Sequence, residues 1–160
     1  MEELGEAFRA AQNRNQVFDQ AVARHLGVNQ TDLLAMDILQ RRGRITAGEL
    51  AREMNLTTGA VTALVDRLER AGYADRVHDE TDRRRVLIEL SQKALDAVGE
   101  IFGPMAMDWQ EYMDRCTMAE LELILEFVKG AEAVVTKHME RVEGELEGAP
   151  EKSDRAGRGE

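Results

Sequence analysis

The stretch ITAGELAREMNLTTGAVTALVDRLERAGY, residues 45 to 73, constrains the fold more than any other part of the chain. Thr46 and Glu49 have the spacing of a capping box, in which each side chain satisfies the other's unpaired backbone amide. They open a helix of about two turns with Leu50, Ala51 and Met54 inward. Asn55, Leu56 and Thr57 form a turn. A second helix begins at Thr57 or Thr58 and stops at Gly72, a residue suited to the left-handed backbone that ends helices. Two short helices joined in this way make a helix-turn-helix.

In the second helix Val61, Leu64, Val65 and Leu68 share one stripe, which turns Gly59, Thr62, Ala63, Asp66, Arg67 and Arg70 outward. The exposed N-terminal half is small and hydroxylic. A helix entering the DNA major groove needs slim side chains where its backbone comes nearest the bases. Thr57, Thr58 and Thr62 can hydrogen-bond phosphates or base edges, and Ala60 or Ala63 can meet thymine methyls. Taken alone, the same residues fit plain helix capping equally well.

After Gly72, YADRVHD and RRRVLIEL read as two strands, with Val86, Ile88 and Leu90 alternating against Leu87 and Glu89, joined by the polar turn DETDR. A β-hairpin that follows a helix-turn-helix is a wing, and a wing arginine can enter the minor groove. The bland alternative is a solvated turn in which Asp79, Glu80 and Asp82 neutralise Arg83, Arg84 and Arg85. Charge distribution favours the wing. The chain has a net charge of -10, yet residues 41 to 85 carry 10 Arg against 8 acids and are the only segment with a positive balance. Arginine is the side chain best fitted to phosphate and guanine.

With 160 residues and 43% apolar content, the chain supports one domain with a real core. Cys116 is the single cysteine, which excludes an intrachain disulfide and a multi-cysteine zinc site and suits a reducing compartment, so the cytoplasm is expected. No run approaches the roughly 20 apolar residues of a membrane span, and MEELGEAFRA lacks the pattern of a signal peptide. Asn29 to Gln40 reads as a helix with Leu33, Leu34, Met36 and Ile38 inward, ended by Gly43. At the N-terminus Leu4, Phe8, Ala11, Asn15, Phe18, Val22 and His25 form a heptad-like seam, suited to the chain's own core or to a second chain. Thr117 and Glu120 form another capping box, and Leu121, Ile124, Leu125 and Val128 follow in a helix to about Val142. Residues 143–160 read as a flexible tail, too polar and too rich in glycine to offset the entropy of ordering.

The order of elements over residues 1–142, and the motifs over about 30–100, resemble the MarR family of bacterial transcriptional regulators. TTGAVTALVDRLERAGYADR is similar to the family's recognition helix and its turn into the wing. DETDRRRVLIELSQKA is similar to the wing signature, with Asp82, Arg84, Leu90 and Ser91 at the matching positions. The resemblance implies a mainly α fold with a small β-hairpin, a winged helix-turn-helix at about 30–100 and dimerisation helices at about 2–26 and 105–142. It implies that Arg84 reaches the minor groove while Asp82 helps to hold it. Thr57, Thr58, Gly59 and Thr62 then approach bases and phosphates, and Ala63, Arg67 and Arg83 complete the expected DNA contacts. Many members have arginine where this chain has Ala63, so base readout there differs.

The expected partners are double-stranded DNA with a pseudo-palindromic operator, a second copy of the chain, and a small-molecule effector. A repressor released by a small aromatic ligand is the expectation. His25, Met36, Trp109 and Met113 are the candidate ligand residues, although apolar residues at helical spacing are more often plain core. A helix from Ser91, carrying Leu95, Val98, Phe102 and Met105 and kinked at Gly103-Pro104, is expected to connect the wing to the dimer platform. The alternatives are redox sensing through Cys116 and a winged helix that binds protein. Catalytic, metal and cofactor sites are not expected, because His25, His78 and His138 fall in different elements and no phosphate loop or paired-cysteine motif occurs.

Overall fold

The computed structural model describes residues 2–147. Along the chain run α1 (Glu2–Leu26), α2 (Gln30–Arg42), β1 (Ile45–Thr46), α3 (Ala47–Met54) and α4 (Thr58–Ala71). Then come β2 (Ala74–His78), β3 (Val86–Leu90), α5 (Gln92–Met113) and α6 (Met118–Glu147). Two compact units divide the chain, Met1–Met107 and Asp108–Glu160. None of the described helices is long and apolar enough to cross a membrane.

In the first unit, helix ends fall where the sequence supplies caps. The Asn29 side chain accepts the Asp32 amide at 2.8 Å to open α2, and Gly43 closes it with φ of 72°. The strands form an antiparallel sheet in the order β1-β3-β2, with Ala74 opposite Leu90 and His78 opposite Val86. The expected hairpin is therefore part of a three-stranded sheet, since Ile45 pairs with Ile88 and Thr46 with Leu87. Two residues are too few for strand alternation to show in a sequence.

The core lies between α2, α3, α4 and the sheet, where Met36, Leu39, Leu50, Leu64, Leu68 and Ile88 are completely buried. A second cluster joins Val22 and Ala23 of α1 to Leu33, and beside it the Phe18 ring meets the Phe102 ring edge-on at 5.7 Å. Several expected core positions turn outward. Leu34 is 50% exposed, because the helical turn that buries Leu33 and Met36 points Leu34 away from them. Val86, Leu95 and Met105 are exposed too, and Ala94 and Val98 take the inward face of α5. α5 is a single helix that continues through Pro104.

In the second unit, Thr117 and Glu120 form the expected capping box. The Thr117 amide donates to Glu120 Oε2 at 2.7 Å, and this bond, with a second from the Thr117 hydroxyl, holds the Glu120 carboxyl below its usual range. α6 extends to Glu147, five residues past the end expected near Val142, so the flexible tail expected over 143–160 is helical at its start. The remainder, 148–160, lies outside the described residues.

Leu64 is 1% exposed at the centre of the larger cluster, whereas its neighbour Ala63 faces solvent. Leu64→Ala is expected to cost about 2–5 kcal/mol, through lost transfer energy and the cavity left behind. Ala63→Ser is expected to stay within about 0.5 kcal/mol. Denaturant unfolding of the two variants beside wild type checks both values.

Candidate nucleic-acid interface

Local hydrogen bonding fixes the turn between α3 and α4. The Thr46 amide donates to Glu49 Oε2 at 2.7 Å while the Glu49 amide donates to Thr46 Oγ1 at 3.2 Å. The bonds from the Thr46 amide and hydroxyl hold the Glu49 carboxyl below its usual range, so this box stays charged at neutral pH. Asn55 closes α3 in the left-handed region at φ 51°, a conformation that asparagine tolerates better than most residues. The Leu56 amide then reaches Ala51 O at 2.9 Å. Thr57 caps α4 by accepting the Ala60 amide at 3.2 Å.

Burial of Val61, Leu64, Val65 and Leu68 orients α4, so that Thr58, Gly59, Thr62 and Ala63 face solvent as expected. The first turn of α4 contains no acid, which leaves the partial positive charge of its N-terminus uncompensated. The Thr62 hydroxyl donates to Thr58 O at 2.9 Å, holding its methyl and oxygen in a set direction. A Cβ added at Gly59 would meet nothing within 4 Å. The protein's own packing therefore does not require glycine there, and the empty space lies on the outward face.

The far end of α4 is tied down. The Tyr73 amide reaches Leu68 O at 2.8 Å, and Lys93 Nζ donates to Ala71 O at 2.7 Å while lying over the Tyr73 ring. The Ser91 hydroxyl donates to Gly72 O at 2.6 Å and accepts the Ala94 amide at 3.2 Å, so one side chain ends α4 and starts α5. Arg76 of β2 pairs with Asp66 at 2.7 Å and with Glu69, offsetting the acids of α4.

The wing tip is ordered by two aspartates. Asp79 Oδ1 accepts the Thr81 hydroxyl at 2.6 Å, the Thr81 amide at 2.7 Å and the Asp82 amide at 3.2 Å. These bonds, that of the Thr81 hydroxyl foremost, hold the Asp79 carboxyl below its usual range. Asp82 Oδ1 accepts the Arg84 amide at 3.0 Å and Asp82 O accepts the Arg85 amide at 2.8 Å. Asp82 thus orients Arg84 through its backbone and leaves the guanidinium free. Arg85 lies 3.7 Å from Asp79, and Arg44 braces the base of the wing against Glu89 and Glu80. Among the described residues the guanidinium groups of Arg83 and Arg84 have no hydrogen-bond or ion-pair partner, and both are exposed.

Arg67 is held by a second element. Its Nη2 donates to Asp32 Oδ1 at 2.6 Å and its Nε to Oδ2 at 3.3 Å, so the guanidinium grips α2 instead of pointing freely outward. This grip raises its pKa further above the ordinary arginine value. Asp32 is the one buried polar or charged side chain among the described residues, at 4% exposure. The sequence reading passed over it, although it lies three, four and seven residues before Ala35, Met36 and Leu39 on the apolar stripe of α2. It also missed the organising roles of Asp79 and Thr81, which the Asp-x-Thr spacing of a side-chain-closed turn encodes.

Of the four candidate ligand residues, the structure places one in a cavity. α1, α2 and α5 line an open groove of about 780 Å³ within the first unit, floored by Leu33, Met36, Val98 and Phe102. Gln12, Asn15, Gln16, Gln30 and Gln40 bring amides to it, and its charged lining residues are Asp19 and Asp37. Asp37 is paired with Arg41 at 3.0 Å. His25 is exposed on α1 and does not line the groove, while Trp109 and Met113 belong to the second unit and are exposed. Cys116 lies half-buried in the turn before α6. No group of three or more potential metal ligands occurs among the described residues.

The MarR family model matches residues 28–86. The chain is 42% identical over 135 residues to the HTH-type transcriptional regulator YcgE of Bacillus subtilis, covering 84% of this chain and 88% of that protein. A solved MarR family protein from Bacillus stearothermophilus shares the fold, with a TM-score of 0.62 at 24% identity over 84% of this chain and 94% of its own. A mutant of S. aureus MepR, solved bound to an oligodeoxyribonucleotide, does so with a TM-score of 0.56 at 18% identity over 87% and 97%. The chain belongs to the MarR family: it is a DNA-binding transcriptional regulator of the winged helix-turn-helix type, and not an enzyme.

Proposed function

We propose that the protein is a repressor that binds a pseudo-palindromic operator as a homodimer and leaves it when a small ligand occupies the groove beside α2. The observation that carries the DNA geometry is a small, acid-free helix N-terminus at Thr58–Thr62 in the same unit as a wing whose Arg83 and Arg84 guanidinium groups have no partner among the described residues. In this reading Thr57, Thr58, Gly59, Thr62 and Ala63 enter the major groove, Arg84 enters the minor groove and Arg83 meets a phosphate. The structure of a DNA-bound MepR mutant with the same fold supports this use of the fold.

The homodimer is supported by α6. Leu123, Ile124, Leu125, Phe127, Val128, Val134, Val135, Met139 and Val142 are all at least 45% exposed within one chain. An apolar helix surface of that extent is stable in water when a second apolar surface covers it. Two copies present two recognition helices to half-sites about 10 base pairs apart. A dimer occupying such a site within a promoter blocks polymerase, and the regulator then acts as a repressor.

The groove supports the ligand. It combines an apolar floor with amide donors and acceptors, and its lining among the described residues includes no basic side chain. An uncharged aromatic molecule with hydrogen-bonding groups matches that lining better than an aromatic anion does, because nothing in the groove offsets a negative charge.

Gel filtration is expected to show a dimer, and footprinting on DNA upstream of the protein's own gene a symmetric protected site. A monomer, or protection without symmetry, refutes the proposal. Arg84→Ala is expected to weaken operator binding about tenfold or more while the dimer persists. Gly59→Leu separates DNA contact from folding, because a leucine at this open helical position keeps or raises the melting temperature while filling the space a major groove must occupy. Operator binding by Gly59→Leu at wild-type strength would place the DNA elsewhere. Addition of uncharged phenols and aromatic amides to the footprinted complex is expected to release it, with aromatic carboxylates weaker.

A further inference from the structure

The Arg67–Asp32 pair has a different chemistry from the rest of the α4 surface. The apolar stripe of α4 is held by contacts without direction, which resist separation far more than they resist rotation about the helix axis. Asp32 is fixed on three counts. Its amide is held by Asn29, its carboxylate lies in the first turn of α2, and it sits on the stripe that includes Ala35, Met36 and Leu39. Arg67 spans the gap with two hydrogen bonds to two different oxygens. A planar fork on a planar carboxylate defines an angle as well as a distance.

We propose that Arg67 is a positioning residue whose grip on buried Asp32 sets the rotation of the recognition helix, and that operator specificity depends on Asp32, a residue too buried to touch DNA. This rests on the operator reading above. A rotation of about 20° carries a side-chain tip about 5 Å from the helix axis through nearly 2 Å, which is more than a hydrogen bond to a base edge tolerates. Thr58, Thr62 and Ala63 share the helix with Arg67 and turn with it. An ion pair with one partly exposed partner adds little net stability, so this pair contributes chiefly direction. The rival role is a phosphate contact by Arg67, whose side chain retains 41% of its exposure.

The test uses the full-length dimer, the footprinted operator duplex and a random-sequence duplex of equal length, each titrated across a range of salt. Asp32→Ala, Asp32→Asn, Arg67→Ala and Arg67→Lys are each expected to weaken operator binding about tenfold. Affinity for the random duplex and the salt dependence are expected to stay at wild-type values. The double variant Asp32→Ala with Arg67→Ala is expected to bind no more weakly than the weaker single variant. Asp32→Asn is nearly isosteric, and its melting curve verifies that the assayed protein is folded.

Three results overturn the inference. If the Asp32 variants bind the operator as wild type does, and Arg67→Ala weakens both duplexes with a salt slope lower by about one for each copy of the contact, then Arg67 is a phosphate contact, and Arg67→Lys rescues it. If the variants lose both duplexes in proportion to the fraction unfolded, the pair only maintains the fold. If wild type itself prefers no duplex, the operator reading fails and this inference fails with it, an outcome visible before any variant is made.

Discussion

Burial of one face of α4 is the constraint from which the rest of the first unit follows. Val61, Leu64, Val65 and Leu68 are inaccessible to water, and the surfaces that cover them come from α2, α3 and the sheet. At about 25 cal/mol per Å² of apolar area, seating such a stripe is worth several kcal/mol, far above any single surface contact in the wing. Once that face is buried, the opposite face has to meet solvent. Thr58, Gly59, Thr62 and Ala63 are presented by default, because a helix with a period of 3.6 residues cannot hide both sides. The proposed DNA-facing surface is the complement of the core.

Charge is arranged on the same principle. A chain with a net charge of -10 binds an anion by neutralising its acids locally. Arg76 offsets Asp66 and Glu69, Arg44 offsets Glu89 and Glu80, and Arg85 approaches Asp79. At the tip of the wing the guanidinium groups of Arg83 and Arg84 are unpaired among the described residues. Asp79 and Asp82 fold the wing tip through backbone and hydroxyl hydrogen bonds and leave the side chains of Arg83 and Arg84 unengaged. The acid-rich surfaces elsewhere repel a duplex and disfavour wrong orientations.

Much of this was legible from residue order, for a physical reason. Capping boxes, a left-handed turn residue and an apolar stripe are local, and each involves residues within about seven positions of one another. The helix-turn-helix and the wing were readable on those grounds. The two-residue strand β1 was not, because its partner Ile88 is 43 positions away and two residues carry no periodicity. The pairing of Arg67 with Asp32 was hidden for the same kind of reason. On a helical wheel it points outward, but the carboxylate that captures it lies 35 residues earlier on another helix. The ligand residues were the least legible. A groove is a property of facing surfaces, and only Met36 of the four candidates lines it.

The groove and α4 both contact α2, which gives the proposed ligand release a physical route. Gln30, Leu33, Asp37 and Gln40 line the groove, while Asp32, in the same helical turn as Gln30 and Leu33, holds Arg67. A ligand wedged against α1 and α5 pushes on a rigid helix, and a close-packed core transmits displacement instead of absorbing it. The element that moves is then the one holding the carboxylate that sets the rotation of α4. Any such coupling is bounded by how much better the ligand binds the shifted state than the DNA-competent one. A shift from operator-bound to mostly free requires a differential affinity of about a hundredfold or more.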